Sequence, residues 1–167
     1  MGFELGRVIE AKPREFSPLP MGRYNAYVER TEAITSQNGS TGVEIIFRIT
    51  ADEYNGKYAG RSYIERLYLD GERISDEAKA TRYGIIADIG AKIGLQSFTN
   101  TDALVNGELC LNITQFKSTW DGEERLRNRI QSYDYTDHNL NNKNSKPSNT
   151  AQPVQQSGNE MNWDDPF

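Results

Sequence analysis

The sequence has one cysteine and one histidine, which removes several kinds of functional site from consideration. Cys110 alone can form neither an internal disulfide nor a cysteine-based zinc cluster. His138 lies in a polar stretch, where a lone histidine is usually not a ligand. The chain also lacks a GxxxxGK[ST] phosphate loop and a histidine-based acid–base pair. We therefore predict a protein that is not an enzyme, with no catalytic residue, metal or cofactor.

Long apolar runs are missing as well. No stretch approaches the roughly 20 apolar residues of a membrane span, and the N-terminus lacks a basic-then-apolar signal pattern. These absences predict a cytoplasmic protein without a membrane partner.

Net positive charge is also absent, since the formal charge is −5. From Thr136 onward four acids face two lysines, which leaves −3 for residues 1–135. A mildly acidic domain can bind nucleic acid only through a local basic face, so the distribution of charge matters more than its sum.

Five segments alternate apolar and polar residues with a period of two, which predicts five strands. The first begins at Gly22, and Asn38-Gly39 predicts a hairpin turn before the second. Asn106-Gly107 opens the fourth strand, and Asp121-Gly122 predicts a hairpin between the fourth and fifth. The predicted inward residues include Tyr24, Ala26 and Val28, then Val43, Ile45, Phe47 and Ile49, and later Leu109, Leu111 and Ile113.

One segment has helical spacing. Ser75 is a good N-cap, Asp76 and Glu77 suit the first turn, and Gly94 suits the C-terminal end. Five strands with a helix between the third and fourth is the element order of an OB-fold, a small, partly open barrel that binds oligonucleotides. We predict a mainly β, five-stranded OB-fold barrel at 21–135, an N-terminal arm at 1–20, a disordered linker at 136–160 and a tip at 161–167. An α+β sandwich, or a sheet with one helix packed on it, stays open.

Candidate DNA contacts come from positive charge and flat rings, because single strands are held through their backbone and stacked bases. Arg125, Arg127 and Arg129 alternate on the fifth strand and should face away from Leu126 and Ile130. The other predicted contacts are Arg48, Lys57, Tyr58, Arg66, Tyr68, Phe116 and Trp120. The alternative is that outward arginines only pair with neighbouring acids and that most of the aromatic residues are core.

The chain ends in Trp163, Asp164, Asp165, Pro166 and Phe167, after a segment rich in Asn, Gln, Ser and Pro. Such a polar segment buries too little apolar surface to offset chain entropy. A hydrophobic tip with carboxylates fits a pocket with basic residues around it on another protein, so these five residues are predicted to bind a partner.

Asp164-Asp165-Pro166-Phe167 resembles the acidic tip of bacterial and phage single-stranded DNA-binding proteins, although that tip usually has more acids. Residues 20–135, with Gly-Lys-Tyr-Ala-Gly-Arg at 56–61 before a Tyr-Ile-Glu-Arg strand, resemble phage proteins found near recombination genes. The resemblance implies single-stranded DNA as ligand, and replication or recombination proteins as partners of the tip. It also implies the cytoplasm of an infected bacterial host. Two other functions stay open, a protein-interaction adaptor without nucleic-acid binding and a mediator that anneals strands, as does a homo-oligomer.

Overall fold

The computed structural model describes residues 1–9 and 17–140. The predicted tip, and the predicted linker beyond Leu140, lie outside this range. The described elements are β1 (Gly22–Thr35), β2 (Thr41–Asp52), β3 (Ser62–Asp70), α1 (Asp76–Lys92), a 3-10 turn (Thr101–Leu104), β4 (Glu108–Trp120) and β5 (Glu123–Asp134). The prediction of a mainly β domain with one helix after the third strand is confirmed.

The turns follow the predicted local chemistry. Asp121 and Gly122 both have positive φ, 54° and 78°, as a tight two-residue hairpin requires. Ser75 caps α1, its side-chain oxygen accepting from the Ala78 amide at 3.1 Å. Gly94 follows the helix with φ of 96°, a conformation that favours glycine. Among the described residues, no helix is both long enough and apolar enough to cross a membrane.

All five strands belong to one antiparallel sheet with the order β3-β2-β1-β4-β5. β1 is central and pairs with β2 over most of its length, but it pairs with β4 only from Gly22 to Tyr27. Beyond Ile113, β4 therefore pairs with β5 alone. We call residues 114–129 the hairpin arm, because they project from the sheet as a two-stranded ribbon.

The core lies on one face of the sheet, beneath α1. Tyr24, Val28, Phe47 and Leu111 are buried there, as predicted, together with Ile89 of the helix. Burial of such side chains supplies most of the stabilisation of a domain of this size.

A short N-terminal segment completes this core. Leu19 is only 1% exposed. The Asn128 side chain accepts from the Leu19 amide and donates to its carbonyl, both at 2.8 Å, as a neighbouring strand would. Gln115 donates to the same carbonyl at 2.8 Å. Residues 17–20 thus pack against the underside of the hairpin arm at Gln115 and Asn128.

The sheet is not closed into a barrel. β3 and β5 are its two edge strands, and among the described residues no backbone ladder joins them. Side chains cross between them instead: Tyr63 donates from its hydroxyl to the Asn128 carbonyl at 3.4 Å, and Tyr133 to the Glu65 carboxylate at 3.3 Å. Burial raises the pKa of Tyr63 to about 12, so its hydroxyl stays a neutral donor. We call the gap between β3 and β5 the seam.

Glu65 gives the fold a testable pH dependence. Burial raises the pKa of its carboxyl above the usual value, although the hydrogen bond from Tyr133 opposes the shift. A carboxyl with a raised folded-state pKa binds its proton more tightly in the folded than in the unfolded state. Its contribution to stability is therefore present below the unfolded pKa and is lost as pH rises through the folded pKa.

We expect Glu65→Gln to raise Tm at pH 7, because it removes a half-buried charge and keeps an oxygen that accepts from Tyr133. The gain should shrink toward pH 4, where the native carboxyl is protonated. Thermal melts across this pH range test it, with Glu44→Gln as a carboxylate control on the paired strand. A Tm gain at pH 7 that persists unchanged at pH 4 would contradict the assignment.

Candidate nucleic-acid interface

The register of the hairpin arm gathers five predicted contacts on one face. Phe116 lies opposite Arg127, Ser118 opposite Arg125, and Thr114 opposite Arg129, while Trp120 lies opposite Glu123. Directly opposed residues of antiparallel strands share a face. Arg125, Arg127, Arg129, Phe116 and Trp120 therefore lie together, and we call this surface the arginine face.

Cations and rings are interleaved on the arginine face. The Arg129 guanidinium carbon is 4.8 Å from the centroid of the Phe116 ring, a cation–π contact. Trp120, next to the turn of the arm, is 73% exposed. An indole this exposed gains little from packing within the domain, and its flat surface is available to a ligand.

Two of the three arginines have no acidic partner in the described part of the chain. Arg125 pairs with Glu123 at 3.1 Å, but both side chains are mostly exposed, so the pair is weak. No carboxylate oxygen between residues 17 and 140 lies within 4.0 Å of the Arg127 or Arg129 guanidinium. Their charge is thus available for an anionic ligand.

The opposite side of the arm faces the domain. Gln115 and Asn128 hold Leu19 there, and Lys117 lies opposite Leu126. The prediction that the three arginines face away from Leu126 and Ile130 is confirmed. Packing of one side of the arm onto residues 17–20 presents the arginine face to solvent.

The predicted arginines on the sheet itself have acidic partners. Arg48 forms two hydrogen bonds to Glu29, at 3.0 and 2.9 Å, and one to the Gly60 carbonyl at 2.7 Å. Arg66 bonds to Glu44 at 2.7 Å. Neither lies on the arginine face, and each is already neutralised. Tyr68, on the same strand as Arg66, is half-buried.

The loop between β2 and β3 is held by a buried carboxylate. Asp52 is 1% exposed and accepts from the amides of Tyr54 and Gly56 through one oxygen, at 2.7 and 2.8 Å. Its other oxygen accepts from the Tyr58 amide at 2.8 Å. Three bonds to one charged group fix the loop in a single conformation.

This loop positions two cations around one ring. The Lys57 ammonium lies 5.6 Å and the Arg61 guanidinium carbon 6.0 Å from the Tyr58 ring centroid. Tyr58 is half-buried and meets the ring of Tyr24 edge-on. The Tyr58 ring, predicted to stack on a base, is therefore less accessible to a ligand than the Trp120 ring.

Arg61 was not among the predicted contacts. Arg61 lies just before β3, so the alternation of apolar and polar residues does not assign its side chain to either side of the sheet. The spacing of Lys57, Tyr58 and Arg61, two cations around a tyrosine in a glycine-flanked loop, is the signal that could have identified it.

No protein-family model matches this chain, and no curated protein matches it in sequence. Function is therefore inferred from the placement of residues.

Proposed function

We propose that this protein binds single-stranded DNA along the arginine face of the hairpin arm. The observation that carries the proposal is the register of β4 and β5, which brings three guanidinium groups and two aromatic rings to one exposed surface. Proteins that bind single strands without sequence preference combine these two kinds of group, cations along the backbone and rings for stacked bases.

The proposed contacts differ in their energetic roles. Arg127 and Arg129 neutralise phosphates, while Trp120 stacks on a base, worth on the order of 1–3 kcal/mol. Arg129 covers Phe116, so that pair offers a flat guanidinium and a ring together. Since none of these groups reads a base edge in a fixed pattern, we expect weak sequence preference and strong salt dependence.

The domain is proposed to be an open OB-fold. The element order and the sheet order β3-β2-β1-β4-β5 support this, with the seam as the unclosed side. In OB-folds the loop between the fourth and fifth strands is one of the binding loops. The hairpin arm is the corresponding segment of this chain.

The proposed role is to coat transient single strands in phage replication and recombination, in the cytoplasm of the host. Trp163, Asp164, Asp165, Pro166 and Phe167 would recruit partner proteins, and these residues lie outside the described part of the chain. Because the tip is acidic, it is expected to compete with DNA for the arginine face when no strand is bound.

Fluorescence polarisation with a labelled dT30 oligonucleotide across a salt series tests the proposal. We expect binding at 50 mM NaCl, with log Kd rising against log salt with a slope of about 2 if three phosphates are contacted. Duplex DNA of the same length should bind more weakly.

A protein-interaction adaptor is the competing function. It is favoured by the neutralised sheet face, where Arg48 and Arg66 are paired with Glu29 and Glu44. Absence of dT30 binding at 50 mM NaCl would reject DNA binding and leave the adaptor.

A further inference from the structure

The seam between β3 and β5 contains a second cationic site next to the arginine face. Where the start of β3 faces β5, the seam forms an open cleft of about 310 Å³. It is lined by Arg61, Arg127, Pro18, Tyr63, Ile64 and Leu126, among others. Arg127 also belongs to the arginine face, so the two surfaces adjoin at this residue.

The cleft has two chemically distinct parts. Arg61, just before β3, and Arg127, on β5, both line it, and within the described residues neither has a carboxylate oxygen inside 4.0 Å. One Arg61 nitrogen donates to the Ser17 carbonyl at 2.9 Å, which holds the side chain in place. The other N–H donors of the guanidinium remain available to a ligand. Guanidinium groups bind phosphate through paired N–H donors, so two arginines that line one cleft suit a phosphate.

The remaining walls are apolar and exposed. Ile64 is 43% and Leu126 45% exposed, although both are large aliphatic side chains. They line the cleft from opposite strands, with Pro18 alongside. Apolar side chains next to paired arginines match the two parts of a nucleotide, a flat base and a charged phosphate.

From this arrangement we propose that the seam holds one nucleotide of the bound strand, with its phosphate between Arg61 and Arg127 and its base against Ile64 and Leu126. The proposal rests on the proposed function and extends it. A cleft of about 310 Å³ is at the small end of ligand sites, so it admits one nucleotide rather than a stacked run. The strand would then leave the arginine face by entering the gap where the sheet fails to close.

The acidic half of the seam sets the limit of this site. A second cleft, further along the seam from Arg61, is lined by Glu65 and Asp88 together with Tyr133. These carboxylates would repel a second phosphate, so the nucleotide stops at the Arg61 end.

The test compares full-length variants in dT30 binding at 50 mM NaCl. We expect Arg61→Gln to weaken binding about three- to tenfold and to lower the salt slope by about 0.7, the contribution of one phosphate contact on a single strand. Arg61→Lys should keep most of the affinity. The matched control is Arg66→Gln, which removes the same charge from the same strand region where Glu44 already neutralises it.

A second measurement does not depend on affinity. Photocrosslinking with dT30 carrying 4-thiothymidine, followed by peptide mapping, should label residues 62–64. Equal, small effects of Arg61→Gln and Arg66→Gln, or crosslinks confined to residues 114–129, would overturn the seam site and leave the arginine face intact. Failure of the unmutated protein to bind dT30 would instead reject the proposed function before any variant is made.

Discussion

Replacing Arg125, Arg127 and Arg129 together with glutamine should weaken dT30 binding about 30- to 100-fold at 50 mM NaCl. The expected loss reflects three exposed phosphate contacts at roughly 1 kcal/mol each, reduced slightly because Arg125 already pairs with Glu123. The salt slope should fall by about 2, because each lost contact on a single strand removes about 0.7. Polarisation titrations from 25 to 300 mM NaCl measure both quantities.

A matched triple variant separates position from net charge. Its three exposed cations already have acidic partners at 2.6–2.7 Å: Arg30 with Glu32, Arg66 with Glu44, and Lys79 with Asp70. Changing Arg30, Arg66 and Lys79 to glutamine removes the same formal charge and should alter binding less than about threefold, since exposed pairs contribute little. Equal losses in the two triple variants would show that overall charge, rather than the arginine face, attracts the strand.

The parts of this fold that could be predicted depend on neighbours in sequence. The Ser75 cap, the turn at Asp121-Gly122 and the alternation along β5 each need only a few residues of context. The same alternation placed Arg125, Arg127 and Arg129 on one side of their strand. That placement holds because the bulge in the pairing of β4 with β5 lies beyond Arg129, between Asn112 and Ile113 on the partner strand.

The parts that escaped prediction depend on register between distant strands. Arg48 meets Glu29 across the pairing of β1 with β2, where Arg48 lies opposite Tyr27 and Glu29 stands at a shift between Val28 and Arg30. In the sequence Arg48 and Arg127 are both outward arginines on strands, yet only Arg48 has an acidic partner among the residues that the structure describes. Pattern alone gives the face of a side chain and does not give the charge opposite it.

The seam shows the same limit more strongly. Ile64 and Leu126 are 62 positions apart, and each reads as an ordinary strand residue. The sheet order makes β3 and β5 the two edge strands. The sheet then curls so that Tyr63 reaches Asn128, and this curl brings Ile64 and Leu126 to the same cleft. A site formed by the failure of a sheet to close has no local signature.

The largest expected effect on stability comes from Asp52. We expect Asp52→Ala to lower the free energy of unfolding by about 3–5 kcal/mol, the usual cost when a buried charged acceptor is lost and its donors stay buried. Three amides, those of Tyr54, Gly56 and Tyr58, would lose their acceptor. Asp52→Asn should cost less, because one oxygen is kept, but its NH2 group must then face at least one amide donor. Urea unfolding followed by circular dichroism measures both changes.

The adjacent carboxylate is the control, and the loop links this stability test to binding. Glu53 is exposed and, among the described residues, accepts only from the Arg23 amide, at 2.7 Å, so Glu53→Gln should change the free energy of unfolding by less than about 0.5 kcal/mol. Because Asp52 fixes the loop that carries Arg61, Asp52→Asn should also weaken dT30 binding at temperatures where the variant is fully folded. A loss below about 1 kcal/mol for Asp52→Ala would mean that water replaces the carboxylate, and that the loop holds its shape without it. In that case the position of Arg61 at the mouth of the seam would have to come from its bond to Ser17 instead.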